Sequence, residues 1–125
     1  MSEETTEIRH RFMVGGEQGI LYVEIKAGRP REIDLEFGKE NTAVWGFAKA
    51  FAVAISLMLA AGIPLSELIK KFVGMRFIPY GRTGHPSIHS ATSVVDYVFR
   101  WLEFRFLRNQ GGKTPVPSIP AGVSA

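Results

Sequence analysis

The sequence has no cysteine among its 125 residues. A chain without thiols forms no disulfide, builds no thiolate metal site and supports no thiyl or thiolate chemistry. The amino-terminal residues MSEETTE also lack the basic and apolar regions of a secretion signal, so we expect a cytoplasmic location. The chain by itself is therefore not a thiol-dependent redox enzyme.

Negative charge is scarce in the second half of the chain. Residues 63–125 carry three Asp or Glu against eight Lys or Arg, whereas residues 1–62 carry nine against seven. A basic half is typical of proteins that bind nucleic acid, nucleotide phosphates or an acidic partner surface. It is also typical of a solvated helix face, so charge alone does not choose between these functions.

Polar residues are nearly absent from one long run, Ala43–Ala61, with the sequence AVWGFAKAFAVAISLMLAA. Lys49 is its only charged residue and Ser56 its only other polar residue. The run predicts a central helix that is apolar on nearly every face and is therefore buried on several sides. The helix is bounded by start signals at Asn41 and Thr42 and by stop signals at Gly62 and Pro64.

The same run is close in length to a membrane-spanning helix, which needs about 20 apolar residues. Lys49 would then lie about a third of the way into the bilayer, and the basic flanks typical of a span are missing. We therefore expect no membrane association and interpret the run as the core helix of a globular domain.

Three stretches before this helix alternate between apolar and polar residues, which is the period of strands with one buried face. They are Glu7–Val14, Ile20–Lys26 and Arg31–Phe37, and they predict a three-stranded antiparallel meander. A sheet with one apolar face needs a covering layer. We therefore expect an α+β fold in which the meander packs on two or three helices, the central one strongly buried.

Two further helices are predicted after the central one. Pro64–Val73 is short and amphipathic, and the last helix runs to about Leu107 with Ser87 or Ser90 as its cap. We expect one domain over residues 7–108. A flexible acidic leader at 1–6 would precede it, and a flexible Gly- and Pro-rich tail at 109–125 would follow.

The stretch Met75–His89 contains two Pro and two Gly, which predict an irregular loop. Its apolar residues predict that the loop is ordered, with Phe77, Ile78, Tyr80 and Ile88 as anchors. Two of the histidines of the chain also lie here, but no acidic residue or cysteine is nearby, so we expect no metal site.

An interface or an anion-binding site is the functional interpretation of this region, since interfaces favour Tyr, Trp and Arg. The candidate residues are Arg76, Tyr80, Arg82, Thr83, His85 and His89 in the loop and Ser93, Asp96, Tyr97, Arg100, Trp101 and Phe104 in the last helix. A purely structural interpretation is also compatible. The aromatic residues would then form a second core layer, while Ser93, Asp96 and Arg100 would fix the loop against the helix.

Several groups of residues have the order and spacing of one known family. They are Gly28-Arg29-Pro30 with Glu32-Ile33, Gly38-Lys39-Glu40, Ala54-Ile55-Ser56-Leu57, Gly62-Ile63-Pro64-Leu65, Lys71-Phe72, Arg76-Phe77, Pro79, Gly81, Thr83-Gly84 and Ser93–Leu102. On these residues, the stretch from His10 to Leu107 resembles the TSCPD domain near the carboxyl terminus of long class II, adenosylcobalamin-dependent ribonucleotide reductases.

The resemblance implies a non-catalytic role. Long members of that family carry a catalytic barrel with a radical cysteine, cobalamin and nucleotide sites and a cysteine-rich tail, none of which is present in this sequence. We therefore expect a free-standing TSCPD-like domain with no catalytic residue, cofactor or metal of its own. It would act as an accessory subunit or partner of a class II reductase large chain, which would hold the adenosylcobalamin, in deoxyribonucleotide synthesis.

Two other functions are compatible with the residues. A nucleotide- or nucleic-acid-binding module would use the basic residues Lys70, Lys71, Arg76, Arg82, Arg100, Arg105 and Arg108. A self-associating scaffold would use the aromatic surface of the last helix as a homodimer interface. An independent enzyme is the weakest interpretation, because the residues assemble no catalytic triad, carboxylate pair, phosphate-binding glycine loop or metal cluster.

Overall fold

The computed structural model describes residues 4–108, which form a three-stranded antiparallel sheet, a two-stranded ladder and three helices. The elements in chain order are β1 Thr5–Val14, β2 Glu17–Lys26, β3 Arg29–Phe37, α1 Ala43–Ala60, α2 Leu65–Phe72, β4 Gly81–Arg82, β5 Ser90–Ala91, α3 Val94–Leu102 and a π-helical turn Glu103–Leu107. The predicted α+β class is confirmed. The predicted tail at 109–125 and the first three residues of the predicted leader lie outside the described residues.

The described chain divides into two compact units. The first, here called the sheet unit, comprises residues 4–13 and 17–64 and contains the three-stranded sheet and α1. The second, here called the loop unit, comprises residues 14–16 and 65–108 and contains the remaining elements. The prediction of one domain over residues 7–108 stays a prediction.

The sheet has the strand order β1-β2-β3, and its apolar face follows the alternation in the sequence. β2 and β3 are antiparallel, with Leu21 opposite Leu35 and Val23 opposite Ile33. These four side chains are buried, because residues with period two project from the same face of a strand. The meander is therefore confirmed, although β1 begins at Thr5, two residues before the predicted position.

Helix α1 packs on β3 through a narrow stripe of mostly small residues. Ala48, Ala52 and Ile55 are its buried positions, and the two alanines allow the helix to lie close to the strand. Ser56 Oγ accepts a hydrogen bond from Ile33 N at 2.9 Å and donates to Ile33 O at 3.0 Å. The hydroxyl therefore satisfies both backbone groups of one residue in β3, which is an edge strand of the sheet formed by residues 4–108.

The charged residue of α1 also bonds to β3. Lys49 Nζ lies 3.0 Å from Asp34 Oδ2 and 3.5 Å from Glu36 Oε2. The hydrogen bond to Asp34 raises the pKa of the Lys49 ammonium above its usual value. Both polar side chains within α1 are thus directed to the sheet, and Thr42 caps the helix as predicted by accepting from Trp45 N.

The prediction that α1 is buried on several sides is wrong. The exposed fractions of Phe47 and Leu57 are 77% and 66%, and Val44 and Val53 are also exposed. A single small sheet covers one stripe of a helix, whereas the apolar residues of this run occupy nearly its whole circumference. Among the described residues, α1 is also the one helix that is long and apolar enough to cross a membrane, judged by length and composition alone.

In the loop unit, α3 provides most of the core. Its buried apolar residues, with one from the π-helical turn, are Val94, Tyr97, Val98, Phe99, Trp101, Leu102 and Phe106. The Phe99 ring stacks on Phe72 of α2 with ring centroids 4.9 Å apart. The last helix was predicted to run to about Leu107. The α-helical part ends at Leu102, and the π-helical turn covers the remaining residues to Leu107.

The start of α3 differs from the sequence prediction. Ser93, in an extended conformation, accepts from Asp96 N at 3.0 Å and is the cap, whereas Ser87 and Ser90 were predicted. Ser90 instead lies in β5, which pairs with β4 through Arg82 opposite Ser90. The stretch predicted to be irregular therefore contains one strand, β4, whose partner β5 lies just beyond its end.

We expect Ser56→Ala to lower the free energy of unfolding by about 1–2 kcal/mol, because Ile33 loses the partner of both its backbone groups. Urea unfolding followed by circular dichroism measures this. Ser66→Ala, at an exposed position of α2, is the matched control and should leave stability nearly unchanged. Equal midpoints for the two variants would contradict the role given to Ser56.

Candidate interaction site

The loop between α2 and α3 is held at both ends by one carboxylate. Asp96, which is 2% exposed, accepts from Gly74 N at 2.7 Å and from Thr92 N at 2.9 Å. Gly74 follows the end of α2 and Thr92 precedes α3. Hydrogen bonds to an ionised acceptor are stronger than neutral ones, so Asp96 fixes the span of the loop firmly.

Arg100 joins this arrangement from the next turn of α3. Its Nη1 lies 3.2 Å from Asp96 Oδ2, as the spacing of four residues predicts, and donates to Ser90 O at 2.8 Å. Together with the cap at Ser93, these bonds agree with the interpretation in which Ser93, Asp96 and Arg100 fix the loop against the helix. Their polar atoms bind the protein itself, and this is what gives the loop its shape.

The middle of the loop is organised by Thr83, which is buried. Its hydroxyl donates to Ile88 O and accepts from His85 N at 3.0 Å, while Thr83 N donates to His89 O at 3.0 Å. His85 Nδ1 accepts from Ser87 N at 2.9 Å, and His89 Nε2 lies 3.0 Å from Pro86 O. Among residues 4–108, no group of three or more His, Cys, Asp or Glu is arranged to hold a metal ion.

Two aromatic candidates belong to the core. Tyr97 and Trp101 are 1% and 5% exposed, and Trp101 meets Phe106 edge to face with centroids 6.5 Å apart. Burial raises the pKa of Tyr97 to about 12. Tyr97 and Trp101 are therefore core residues and not exposed interface residues, because their rings pack against His85 of the loop and Phe106 of the π-helical turn.

His85 and Phe104 lie at the margin of this core. The His85 ring meets Phe104 edge to face at 5.3 Å and Tyr97 at 6.4 Å, and both candidate side chains are half-buried. The apolar surroundings lower the pKa of His85 below its ordinary value of 6.5.

The remaining candidates are exposed. Arg76, Tyr80, Arg82 and His89 all lie at the surface, and the Arg76 guanidinium stands over the Tyr80 ring, 4.3 Å from its centroid. Stacking of this kind holds a long cation in place without an ion pair.

Sequence reasoning missed the most exposed apolar residues of the loop unit. Ile78 is 76% exposed, and Phe77 and Tyr80 are also exposed, so the prediction of buried anchors is wrong for these three. Ile88 is buried, as predicted. We call the following exposed side chains the loop patch: Val73, Met75, Phe77, Ile78 and Tyr80. The many apolar residues between Val73 and Tyr80 are the sequence feature that marks the loop patch. A loop whose apolar residues are buried would have the same composition, so the sequence does not reveal the exposure.

The loop patch is formed by an ordered backbone. Phe77 N donates to Thr92 O at 3.0 Å, and Thr92 Oγ1 donates to Met75 O at 2.9 Å. Gly15 N donates to Arg82 O at 2.9 Å, and a Cβ atom on Gly15 would lie only 2.5 Å from Tyr80 O. The close approach and a φ of 56° both require glycine at position 15.

The match to a known family covers both units. Residues 2–105 match the family model described as the TSCPD domain. The chain belongs to the TSCPD domain family. This confirms the resemblance found in the sequence.

Curated relatives of this TSCPD domain are much longer proteins. It is 33% identical to the "Vitamin B12-dependent ribonucleotide reductase" of Rhodopirellula baltica over 94% of this chain and 13% of that protein. It is 38% identical to the protein of the same name from Streptomyces avermitilis, over 77% of this chain and 10% of the relative. It is 41% identical to the protein of the same name from Bradyrhizobium diazoefficiens, over 78% of this chain and 8% of that relative.

The TSCPD domain therefore corresponds to about a tenth of the length of these relatives. No solved structure matches it significantly. Its relation to class II ribonucleotide reductases is established by the relatives, whereas the whole enzymes' activity belongs to chains many times longer.

We expect Asp96→Asn to lower the free energy of unfolding of the TSCPD domain by about 2–4 kcal/mol. The amide presents an N–H to one of the two backbone donors, and half-buried Arg100 loses its ionised partner. Chemical unfolding measures the change. Glu67→Gln removes a carboxylate from an exposed pair with Lys70 and should cost less than about 0.5 kcal/mol. A similar small loss for Asp96→Asn would refute the central role of this carboxylate.

The lowered pKa of His85 predicts that the protein loses stability in mild acid. Because its pKa is lowered in the folded protein, the unfolded chain binds the proton more tightly, and the stability present above pH 6.5 is lost as the pH falls. Unfolding free energies measured between neutral and mildly acidic pH should fall less steeply in His85→Gln than in the unmodified chain. Ser66→Ala, an exposed position that removes no titratable group, serves as the control and should keep the original slope.

Proposed function

We propose that this TSCPD domain is a non-catalytic accessory subunit or partner domain of a class II ribonucleotide reductase. In this role it supports deoxyribonucleotide synthesis through protein–protein contacts. The proposal is supported by its relatives, which are vitamin B12-dependent ribonucleotide reductases, and by the observation of an ordered apolar loop patch with Ile78 76% exposed.

The partner reductase supplies the cofactor and the thiols in this proposal. The present chain has no cysteine that could supply a thiol. No catalytic step is therefore assigned to the chain, and its contribution is a binding surface.

The loop patch has the composition of an interface centre. Aromatic residues, Met and Arg are enriched at such centres, and here Phe77, Tyr80 and Met75 lie next to Arg76. Because Asp96 fixes both ends of the loop, little conformational freedom is left to lose on binding. A preformed apolar surface of this kind favours a protein partner.

A nucleotide or nucleic acid is the second candidate ligand. It is favoured by the exposed Arg76–Tyr80 stack and by the exposed basic residues Lys70, Lys71 and Arg82 in the same unit. Arg100 is a weaker candidate than the sequence indicated, because its Nη1 is bonded to Asp96 and Ser90.

We expect Ile78→Glu to weaken binding of the full chain to a purified vitamin B12-dependent ribonucleotide reductase large chain of the same organism by at least about tenfold, because a carboxylate would be desolvated in the interface. Immobilised reductase and surface plasmon resonance provide the measurement. Val44→Glu introduces the same charge at an exposed apolar position of the sheet unit and is the control.

Unchanged reductase binding by Ile78→Glu would exclude the loop patch as the contact. Absence of binding by the unmodified chain would refute the proposed function as a whole. Binding of single-stranded nucleic acid that falls steeply with added salt, with no reductase binding, would favour the second candidate.

A further inference from the structure

The side of α1 that faces away from β3 is apolar and uncovered. We call the following residues the outer face of α1: Ala43, Gly46, Phe47, Ala50, Ala54, Leu57 and Ala61, the last being the residue that caps the helix. All are exposed, and their spacing of three and four residues places them on one stripe. None has a charged or hydrogen-bonding side chain.

We propose that the outer face of α1 is a homodimer interface, in which α1 packs antiparallel on α1 of a second copy of this chain about a two-fold axis. This contact is separate from the proposed reductase contact, which uses the loop patch. It also differs from the dimer considered from the sequence, because the aromatic surface of α3 invoked there is largely buried in the core.

The order of residues along the outer face is self-complementary. A two-fold axis at the level of Ala52 places Phe47 opposite Leu57 of the second copy and Ala50 opposite Ala54 of the second copy. The small residues at the centre let two helices approach to about 8 Å, and the large residues fill the space on either side. Antiparallel helices also bring opposite ends of their dipoles together.

The size of the outer face is sufficient for a dimer. With Phe47 77% and Leu57 66% exposed, and five small residues between and beside them, it presents on the order of 500 Å² of apolar surface. Monomeric proteins rarely expose a larger contiguous patch. Two copies would bury on the order of 1,000 Å², which reaches the lower limit for a specific interface.

The charges of α1 favour a protein copy over a lipid surface. Helices that lie on membranes carry Lys and Arg on their polar side, where they meet anionic headgroups. The polar side of α1 has Lys49 and Ser56, and both are bonded to β3. The outer face of a second copy carries no charge and needs no such cations, so the two outer faces match each other chemically.

Oligomeric state is the first test. We expect analytical ultracentrifugation of the full chain at about 100 μM to show a dimer, a concentration chosen because an interface at the lower size limit is expected to associate weakly. Ala54→Glu and Leu57→Glu should each raise the dissociation constant at least about tenfold, because they place two carboxylates in the apolar interface. Ile78→Glu, on the loop patch, should leave the dimer intact. Matching far-ultraviolet circular dichroism spectra show that the variants fold.

Disulfide cross-linking tests the geometry, and the absence of native cysteine makes it specific. Ala50→Cys and Ala54→Cys chains, mixed and oxidised, should cross-link to each other. Each chain alone should cross-link poorly, because identical positions are displaced by about 6 Å along antiparallel helices. A parallel dimer would give the reverse pattern and would overturn the proposed arrangement.

A monomer at every concentration would overturn the dimer. If that monomer binds the reductase chain and Leu57→Glu abolishes the binding, the outer face belongs to the reductase contact instead. If it binds phosphatidylcholine vesicles and Leu57→Glu abolishes that binding, the outer face is a lipid contact. A dimer that survives both Ala54→Glu and Leu57→Glu would show that copies associate through another surface.

Discussion

The loop unit depends on one buried carboxylate. Asp96 lies in the first turn of α3, and its two oxygens bind backbone N–H groups on either side of the loop, at Gly74 and Thr92. The carboxylate itself is 2% exposed, so without these two donors it would be left buried and unpaired, which costs more than the bonds themselves gain. The charge of Asp96 is in turn balanced by Arg100, which extends the arrangement to β5. An exposed apolar surface can thus be displayed on a stretch that contains no long helix or strand.

Local patterns in the sequence predicted the elements well. Alternation in the three strands identified the residues that form the sheet core, such as Leu21 and Leu35, because side-chain direction in a strand is a property of the backbone. The cap at Thr42 and the pair Asp96–Arg100 also follow from spacing over one helical turn. The family resemblance rested on residues throughout both units, and it was confirmed.

What the sequence could not predict is which apolar residues have partners. Phe47 and Trp101 are both aromatic residues in apolar helices, yet the first is exposed and the second is buried. The difference comes from the number of elements packed around each helix, which is a property of the tertiary structure. For the same reason Ile78 was predicted to be an anchor, and the loop patch was missed. Three nearby serines each satisfied the local requirement for a cap, and only the path of the loop selects Ser93.

The hydroxyl of Ser56 has a consequence for how the sheet behaves toward other molecules. In the part of the chain that the structure describes, β3 is an edge strand with β2 as its one neighbour. The free edge of such a strand is a template on which strands of other chains can add and start aggregation. At Ile33 both backbone groups on that edge are already bonded to Ser56, and Lys49 binds Asp34 beside it. An incoming strand would have to detach α1 before it could pair there. Helix α1 therefore blocks strand addition at this edge of the sheet, although much of its own apolar surface is exposed.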